Sequence, residues 1–309
     1  MTFNVIQFLM GGGLLYFGAE FLIQGSKALA DKFKISPVII GITLVGFGTS
    51  LPELIVSILA NLKGAPGMVI GNVMGSNVAN IGLVLGTTAI LNPIYFPFAK
   101  IRNDMYLLIG ITVLPLGFIF FGDLVFWQGT VLILVLISYC GYLFKSNQLD
   151  GKEDNISVNE NNFYLVIPVI IGIIGLAIGA TLFVNGAQGI ALALGVSSLV
   201  VGMSIVALGT SLPELAASLA AAKHGETSIV IGNIIGSNIM NVVLVLGISI
   251  LFRNIIIDFS EIIIHGLFMV ILTFGLFFLI KWKDRVTKLS GIILILTYIL
   301  FLYYNFLPI

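Results

Sequence analysis

The sequence predicts an all-α integral membrane protein, with ten transmembrane helices arranged as two inverted-topology repeats of five helices each. The composition, the apolar runs and one long internal duplication support this prediction. Of the 309 residues, 59% are hydrophobic and only 9% are charged, whereas about 25% of the residues of a soluble protein are charged. So few charges cannot cover a water-facing surface, which excludes an ordinary soluble enzyme. The formal net charge is zero, so nothing indicates a nucleic-acid partner.

The apolar runs are long enough to be membrane-spanning helices, because about 20 helical residues cross the hydrocarbon core of a bilayer. Continuous rather than alternating hydrophobicity argues against a β-barrel. Residues 146–161 form the only stretch of ordinary polar composition, and we predict a cytoplasmic linker there, between a first five-helix repeat at 1–145 and a second at 162–309. The ten predicted spans are 3–24, 38–62, 67–92, 104–121, 124–145, 162–186, 198–222, 228–252, 262–281 and 288–307.

An internal duplication is the strongest signal in the chain. Residues 41–86 and 202–247 align without a gap at an offset of 161, and 24 of the 46 positions are identical. The blocks GTSLPEL, IGN, GSN and LVLG occur in both copies. Because each half has an odd number of spans, the second copy is expected to enter the membrane from the opposite side.

The basic residues test this topology independently. If the N-terminus lies outside, all but two of the 14 basic residues fall in cytoplasmic loops, the exceptions being Lys63 and Arg253. Such a bias is the usual signature of membrane orientation. We therefore expect a multi-pass plasma-membrane protein with both termini outside.

Two acidic residues, Glu53 and Glu214, lie at equivalent positions deep inside the second and seventh spans. A charge at the centre of a bilayer costs about 2.5–3.5 kcal/mol on insertion scales, so such residues usually have a function. The acids near span ends, Glu20, Asp104 and Glu261, are expected instead to reach the membrane interface.

Helical spacing of four residues puts the two buried acids on polar faces, which we call seams. Each of four predicted helices carries one seam of three residues: Thr49, Glu53 and Ser57; Asn72, Ser76 and Asn80; Thr210, Glu214 and Ser218; and Asn233, Ser237 and Asn241.

Prolines beside both acids predict that the second and seventh helices are broken, because proline has no N–H to donate. Pro52 and Pro213 would free the carbonyls of Gly48 and Gly209, and others near Gly46 and Ala207. Broken helices at matching places in two halves indicate a binding site. We therefore place an ion site between broken helices 2 and 7 and helices 3 and 8.

Glycine pairs on helices 3 and 8 are expected to bring the seams against the broken helices by close approach. The pairs are Gly71 with Gly75 and Gly232 with Gly236.

Every donor atom of the seams is oxygen, which favours a hard cation. Two carboxylates balance one Ca²⁺, and about six to eight oxygens suit Ca²⁺ better than Mg²⁺. The same oxygens could hold several Na⁺, or the acids could take protons; mutually exclusive occupancy is the basis of antiport. Asn77 and Asn238, one residue off the seams, are interpreted as interhelical hydrogen bonders, while the role of Asn72 and Asn233 stays open.

The paired GTSLPEL, IGN and GSN blocks resemble the two α-repeats, here 41–86 and 202–247, of the sodium/calcium exchanger family within the calcium/cation antiporter superfamily, in its compact prokaryotic form. The resemblance implies an ion core of spans 2, 3, 7 and 8, past which long, tilted spans 1 and 6 slide. Asn241 replaces an acid found in some relatives, which leaves two formal charges and argues against K⁺ dependence. The metal ligands implied by the resemblance are Glu53, Glu214, Thr49, Thr210, Ser50, Ser211, Ser76, Ser237, Asn80, Asn241 and the carbonyls of Gly46 and Ala207.

The predicted function is secondary active antiport of Na⁺ for Ca²⁺ by alternating access, with no enzymatic activity. We expect no cofactor: the transported Ca²⁺ and Na⁺ bind the site, and membrane lipid surrounds the chain. A monomer could suffice, because one chain holds both halves of the site. A proton-coupled Ca²⁺ antiporter, with H⁺ as the counter-ion, and a cation channel remain the alternatives.

Overall fold

The computed structural model describes residues 1–150, 163–195 and 207–305. Nearly all of these residues are helical. In the first half the helices are α1 (Thr2–Phe33), α2 (Pro37–Thr49), α3 (Leu51–Leu62), α4 (Pro66–Leu91), α5 (Arg102–Phe121) and α6 (Phe126–Asp150). In the second half they are α7 (Phe163–Ala193), α8 (Ala207–Gly209), α9 (Leu212–Lys223), α10 (Thr227–Phe252), α11 (Phe259–Lys283) and α12 (Lys288–Asn305).

Among the described residues, seven helices are long and apolar enough to cross a membrane, and α2 with α3 forms an eighth, bent span. Helices α9 and α12 lie where the seventh and tenth spans were predicted, although residues 198–206 of the seventh fall outside the described ranges. Helix α6 continues to Asp150, so the predicted linker begins in helical conformation, and its remainder to residue 161 is also outside those ranges.

The two longest helices, α1 and α7, pack against each other along their length. They have 32 and 31 residues, so each is about 45–50 Å long at 1.5 Å per residue. The hydrocarbon core is only about 30 Å thick, so both helices must tilt or extend beyond it. The backbone of Phe183 lies against Gly11 and that of Leu176 against Gly18, so the two helices run antiparallel, as inverted repeats require.

Helices α10 and α4 occupy the centre of the bundle. In α10, 89% of the most apolar window is buried, and in α4 72%, compared with 28% in α7. A continuous core of aliphatic side chains surrounds both helices. The seams carried by α4 and α10 are therefore shielded from lipid by the other helices.

Contacts between loops agree with the predicted topology. A two-stranded antiparallel ribbon joins β1 (Ile94–Tyr95) to β2 (Arg285–Val286), and a single bridge joins Leu124 to Ile255. An ion pair joins Lys27 to Glu226. Each contact joins two positions that lie at the same side of the membrane in the predicted topology.

The expectation for the acids near span ends was right for Glu261, which is exposed, and wrong for Asp104. The Asp104 residue is only 6% exposed, and its carboxylate accepts a hydrogen bond of 2.7 Å from the Tyr139 hydroxyl. A partner on α6 replaces water there. Glu20 is also largely enclosed, with Lys223 and His224 both 2.6 Å from its carboxylate oxygens.

Candidate ion-binding site

Both acid-bearing helices begin where the preceding helix is interrupted. Helices α2 and α3 meet at an angle of 43°, at Ser50, where φ is −83° and ψ is 2°. The equivalent Ser211 has nearly the same values, −87° and 3°. Glu53 and Glu214 follow in the first turns of α3 and α9, so both carboxyls lie near the positive end of a helix dipole. The predicted breaks are thus present at both prolines.

The two carboxyl groups are both buried inside the protein. Glu53 and Glu214 are each 0% exposed, and their carboxyls are close enough to interact electrostatically. The Glu214 carboxyl lies beside the hydroxyls of Thr49 and Ser50, which come from the other repeat. The Glu53 carboxyl lies beside the hydroxyl of Ser76. The site therefore combines groups from both halves of the chain.

Buried oxygens without a hydrogen-bond donor are concentrated at this place. Buried polar groups nearly always have partners, and an unsatisfied one costs about 1–3 kcal/mol. Among the described residues, most of the buried side-chain atoms that lack a partner belong to predicted ligands: Ser50 Oγ, both Glu53 Oε, Asn80 Oδ1, Ser211 Oγ, both Glu214 Oε and Asn241 Oδ1. The two other atoms without a partner are Ser26 Oγ and Asn238 Nδ2.

These oxygens come from carboxylate, hydroxyl and amide groups, the donor set of a hard cation. Among the described residues, no three His, Cys, Asp or Glu side chains come together. A cation held here would therefore take its charge balance from the two carboxylates and its remaining ligands from neutral oxygens. Such a set fits Ca²⁺ or Na⁺ and gives a soft transition metal no preferred ligand.

Hydroxyl and amide groups join α2 to α10 beside the acids. The Thr49 Oγ1 atom lies 3.2 Å from Ser237 Oγ. Both hydroxyls donate to Asn233 Oδ1, at 3.3 Å from Thr49 and 3.4 Å from Ser237. Two predicted ligands of opposite repeats are therefore in direct contact.

The side-chain amides of Asn72 and Asn233 make equivalent hydrogen bonds in the two repeats. The amide of Asn72 donates to Ser57 Oγ at 2.8 Å and to the Glu53 carbonyl at 3.1 Å. Asn233 makes the equivalent bonds to Ser218 Oγ at 3.0 Å and to the Glu214 carbonyl at 3.4 Å. Both amides thus hold the acid-bearing helix against its neighbour.

We expected the helix break to free the carbonyl of Gly46 from its backbone hydrogen bond, and this expectation was wrong. That oxygen accepts the backbone N–H of Ser50 at 3.2 Å, because the α-helical bond continues up to the break. Its second lone pair faces Ser237 Oγ at 3.5 Å. Thr210 is half-buried, and Ala207 begins helix α8.

Close approach at glycines occurs on α10. A Cβ atom on Gly232 would lie 2.5 Å from the carbonyl oxygen of Val38, and one on Gly236 would overlap the carbonyl oxygen of Ile42. This contact brings Ser237 to α2. Around Gly71 and Gly75 no described residue lies within 4 Å of such an atom, so the predicted packing is observed for the second pair.

Sequence reasoning missed the π-helical segments beside the site. They cover Gly41–Val45 in α2, Asn80–Leu85 in α4 and Asn241–Leu246 in α10. Such segments often lie at functional sites. The last two start at the predicted ligands Asn80 and Asn241, and no periodicity in the sequence announces them.

Comparisons with known proteins agree with this geometry. The sequence matches the family described as sodium/calcium exchanger protein over residues 3–145 and 164–307. It is 30% identical to the sodium/calcium exchanger MaX1 of Methanosarcina acetivorans, over 98% of both chains. It is 38% identical to an uncharacterized membrane protein of Methanocaldococcus jannaschii, over 97% of both chains.

A solved structure gives the same result for the fold. The structure of the sodium-calcium exchanger NCX_Mj soaked with 10 mM Na⁺ and zero Ca²⁺ is similar with a TM-score of 0.86, at 35% identity and over 99% of each chain. This chain belongs to the sodium/calcium exchanger protein family.

Proposed function

We propose that the protein is a secondary active antiporter that exchanges Na⁺ for Ca²⁺ by alternating access at one shared site. The set of buried, unpartnered oxygens from both repeats supports this proposal most strongly. The proposed ligands are Glu53, Glu214, Thr49, Thr210, Ser50, Ser211, Ser76, Ser237, Asn80, Asn241 and the carbonyls of Gly46 and Ala207.

Charge balance explains how one site couples the two ions. Two carboxylates neutralise one Ca²⁺ or two Na⁺, so a filled site carries little net charge. An empty site would leave both Glu53 and Glu214 negative in the middle of the membrane, where each charge costs about 2.5–3.5 kcal/mol on insertion scales. The filled site therefore changes access more readily than the empty one, and Ca²⁺ crosses only in exchange for its competitor.

The packing supports a proposal for the moving parts. Helices α1 and α7 form one pair through glycine contacts along their length, and this pair packs against α2 and α9 of the core that also contains α3, α4 and α10. We propose that this pair slides along the core to open the site to either side. We further propose that both termini lie outside and residues 146–161 inside, and that a monomer suffices.

Flux into proteoliposomes tests the function. Uptake of ⁴⁵Ca²⁺ is measured while Na⁺, K⁺ and H⁺ gradients are imposed one at a time. We expect the Na⁺ gradient alone to drive uptake. Uptake driven by a pH gradient in Na⁺-free medium would instead identify a proton-coupled antiporter, and flux without any counter-ion would identify a channel.

Two charge-removing variants test the site. Removing one partner of a buried charge pair costs about 3–5 kcal/mol. For a carboxylate and its bound cation, this cost corresponds to a loss of cation affinity by a factor of about 10² to 10³ or more. Glu53→Gln and Glu214→Gln should therefore abolish Na⁺-driven uptake. Glu261→Gln removes an exposed acid of a spanning helix and is the matched control, with transport expected to be unchanged. Full transport by both buried-site variants would refute the site.

A further inference from the structure

Four buried asparagines form a crossed network between α4 and α10. Asn77 and Asn80 are repeat-equivalent to Asn238 and Asn241, and none is more than 1% exposed. The Nδ2 atom of Asn80 donates to Asn238 Oδ1 at 3.2 Å, and that of Asn241 donates to Asn77 Oδ1 at 3.1 Å. Each seam asparagine thus gives its amide hydrogen to the asparagine of the GSN motif in the other repeat.

The network determines which atom of the Asn241 amide is bonded to Asn77 and which is left without a partner. The amide nitrogen of Asn77 donates to the backbone carbonyl of Asn238 at 3.3 Å. A carbonyl can only accept, so Asn77 must present its oxygen to Asn241. Asn241 must then present its nitrogen to Asn77, which leaves the Asn241 oxygen on the other side, buried and without a donor among the described residues.

Asn80 has the same arrangement with a weaker anchor. Its oxygen is also buried without a described donor, while its nitrogen is bonded to Asn238. The amide nitrogen of Asn238, however, has no partner in the described part of the chain. The bond that fixes Asn77 therefore has no counterpart at Asn238 among the described residues.

We propose that Asn77 and Asn238 are positioning residues that hold the side chains of Asn241 and Asn80 with their oxygens toward the bound cation. This inference rests on the proposed function. If the side-chain amide of Asn80 or Asn241 were rotated by about 180°, it would present its NH₂ group to the cation. Its oxygen would then lie against the side-chain oxygen of its partner in the network. Asn77 and Asn238 thus make two neutral side chains behave as cation ligands.

A double-mutant cycle separates positioning from simple bracing. Asn77→Leu removes the acceptor of Asn241 at similar side-chain size, and loss of such a supporting partner typically weakens metal binding about 10- to 100-fold. We expect Asn77→Leu to weaken equilibrium ⁴⁵Ca²⁺ binding by that factor. Because Asn77 acts through Asn241, the double variant Asn77→Leu/Asn241→Ala should bind no more weakly than Asn241→Ala alone. Combined with Asn80→Ala, the effect of Asn77→Leu should instead multiply.

Asn61→Leu is the matched control. Asn61 is equally buried, and its amide donates to the carbonyls of Ser249 and Arg253, away from the acids. We expect this variant to lower the Tm of the ion-free protein while Ca²⁺ affinity stays within twofold of the native value. If Asn77→Leu does not fold, Asn238→Leu with Asn80→Ala provides the same cycle, with a smaller expected effect because Asn238 is less firmly anchored.

The binding measurements distinguish failure of the positioning role from failure of the proposed function. Native affinity in Asn77→Leu, or losses that multiply in the cycle with Asn241→Ala, would overturn the positioning role while the proposed function stands. A native protein that binds no ⁴⁵Ca²⁺ would overturn the proposed function, and this inference with it.

Discussion

Replacing Gly236 with alanine should weaken Ca²⁺ binding without touching any proposed ligand. A Cβ atom at this position overlaps the carbonyl oxygen of Ile42 and lies 2.8 Å from its carbonyl carbon. Non-bonded carbon atoms prefer about 3.5–4.0 Å. Because the obstacle is backbone rather than a flexible side chain, α10 must move from α2 by about 1 Å.

The magnitude follows from overpacking and from coordination geometry. Extra methyl groups in a tight contact cost about 1–3 kcal/mol. Oxygens bind Ca²⁺ at about 2.3–2.6 Å, a range about 0.3 Å wide, so a shift of about 1 Å at the neighbouring Ser237 would take its hydroxyl out of that range. We therefore expect affinity to fall at least tenfold, the lower end of the effect of a supporting residue.

Gly110→Ala is the control for this prediction, because Gly110 lies in spanning helix α5 and no described atom lies within 4 Å of a Cβ there. Both variants gain the same helix propensity of about 1 kcal/mol, so their difference isolates the overpacking. Thermal unfolding in detergent with and without Ca²⁺ measures both stability and binding. Equal Ca²⁺-induced shifts of Tm in Gly236→Ala and Gly110→Ala would refute the reasoning.

Three further outcomes follow from the described contacts. Tyr139→Phe removes the buried donor to Asp104 and should cost about 1–3 kcal/mol of stability, seen as a lower Tm with Ca²⁺ affinity retained; an unchanged Tm would contradict the buried bond. Asn72→Leu should weaken ⁴⁵Ca²⁺ binding because it releases α3 from α4, and native binding would show that this brace is dispensable. Glu20→Gln removes the carboxylate that joins α1 to Lys223 and His224, so the dependence of the exchange rate on ionic strength, varied with a salt that is not transported while the Na⁺ concentrations are fixed, should flatten; an unaltered salt dependence would separate this ion pair from the movement of α1.

Local patterns explain why much of the site could be predicted from the sequence. A spacing of four residues fixes a helix face, so Glu53 and Ser57 had to share one on α3, and the prolines beside the two acids mark the points at which their helices begin. The duplication then supplied each feature twice, at Glu53 and again at Glu214. The acids, the breaks and the polar seams all depend on neighbours within one turn of helix.

Features that depend on distant partners could not be read this way. Nothing near Asp104 indicates that Tyr139, 35 residues away, would replace water, and nothing near Glu20 indicates Lys223. The π-helical turns at Asn80 and Asn241 have no compositional signature. The pairing of α1 with α7, in contrast, had an unused signal: glycines seven residues apart, at 11, 18 and 25, recur at 172, 179 and 186 with the offset of the repeat.

Equilibrium ⁴⁵Ca²⁺ binding to the purified protein, titrated with Na⁺, tests most directly whether both repeats build one shared site. We expect one Ca²⁺ per chain, complete displacement by Na⁺, and loss of binding in Glu53→Gln and in Glu214→Gln alike. Ca²⁺ that stays bound at saturating Na⁺, or that survives removal of either acid, would show that the two ions do not compete for this set of oxygens.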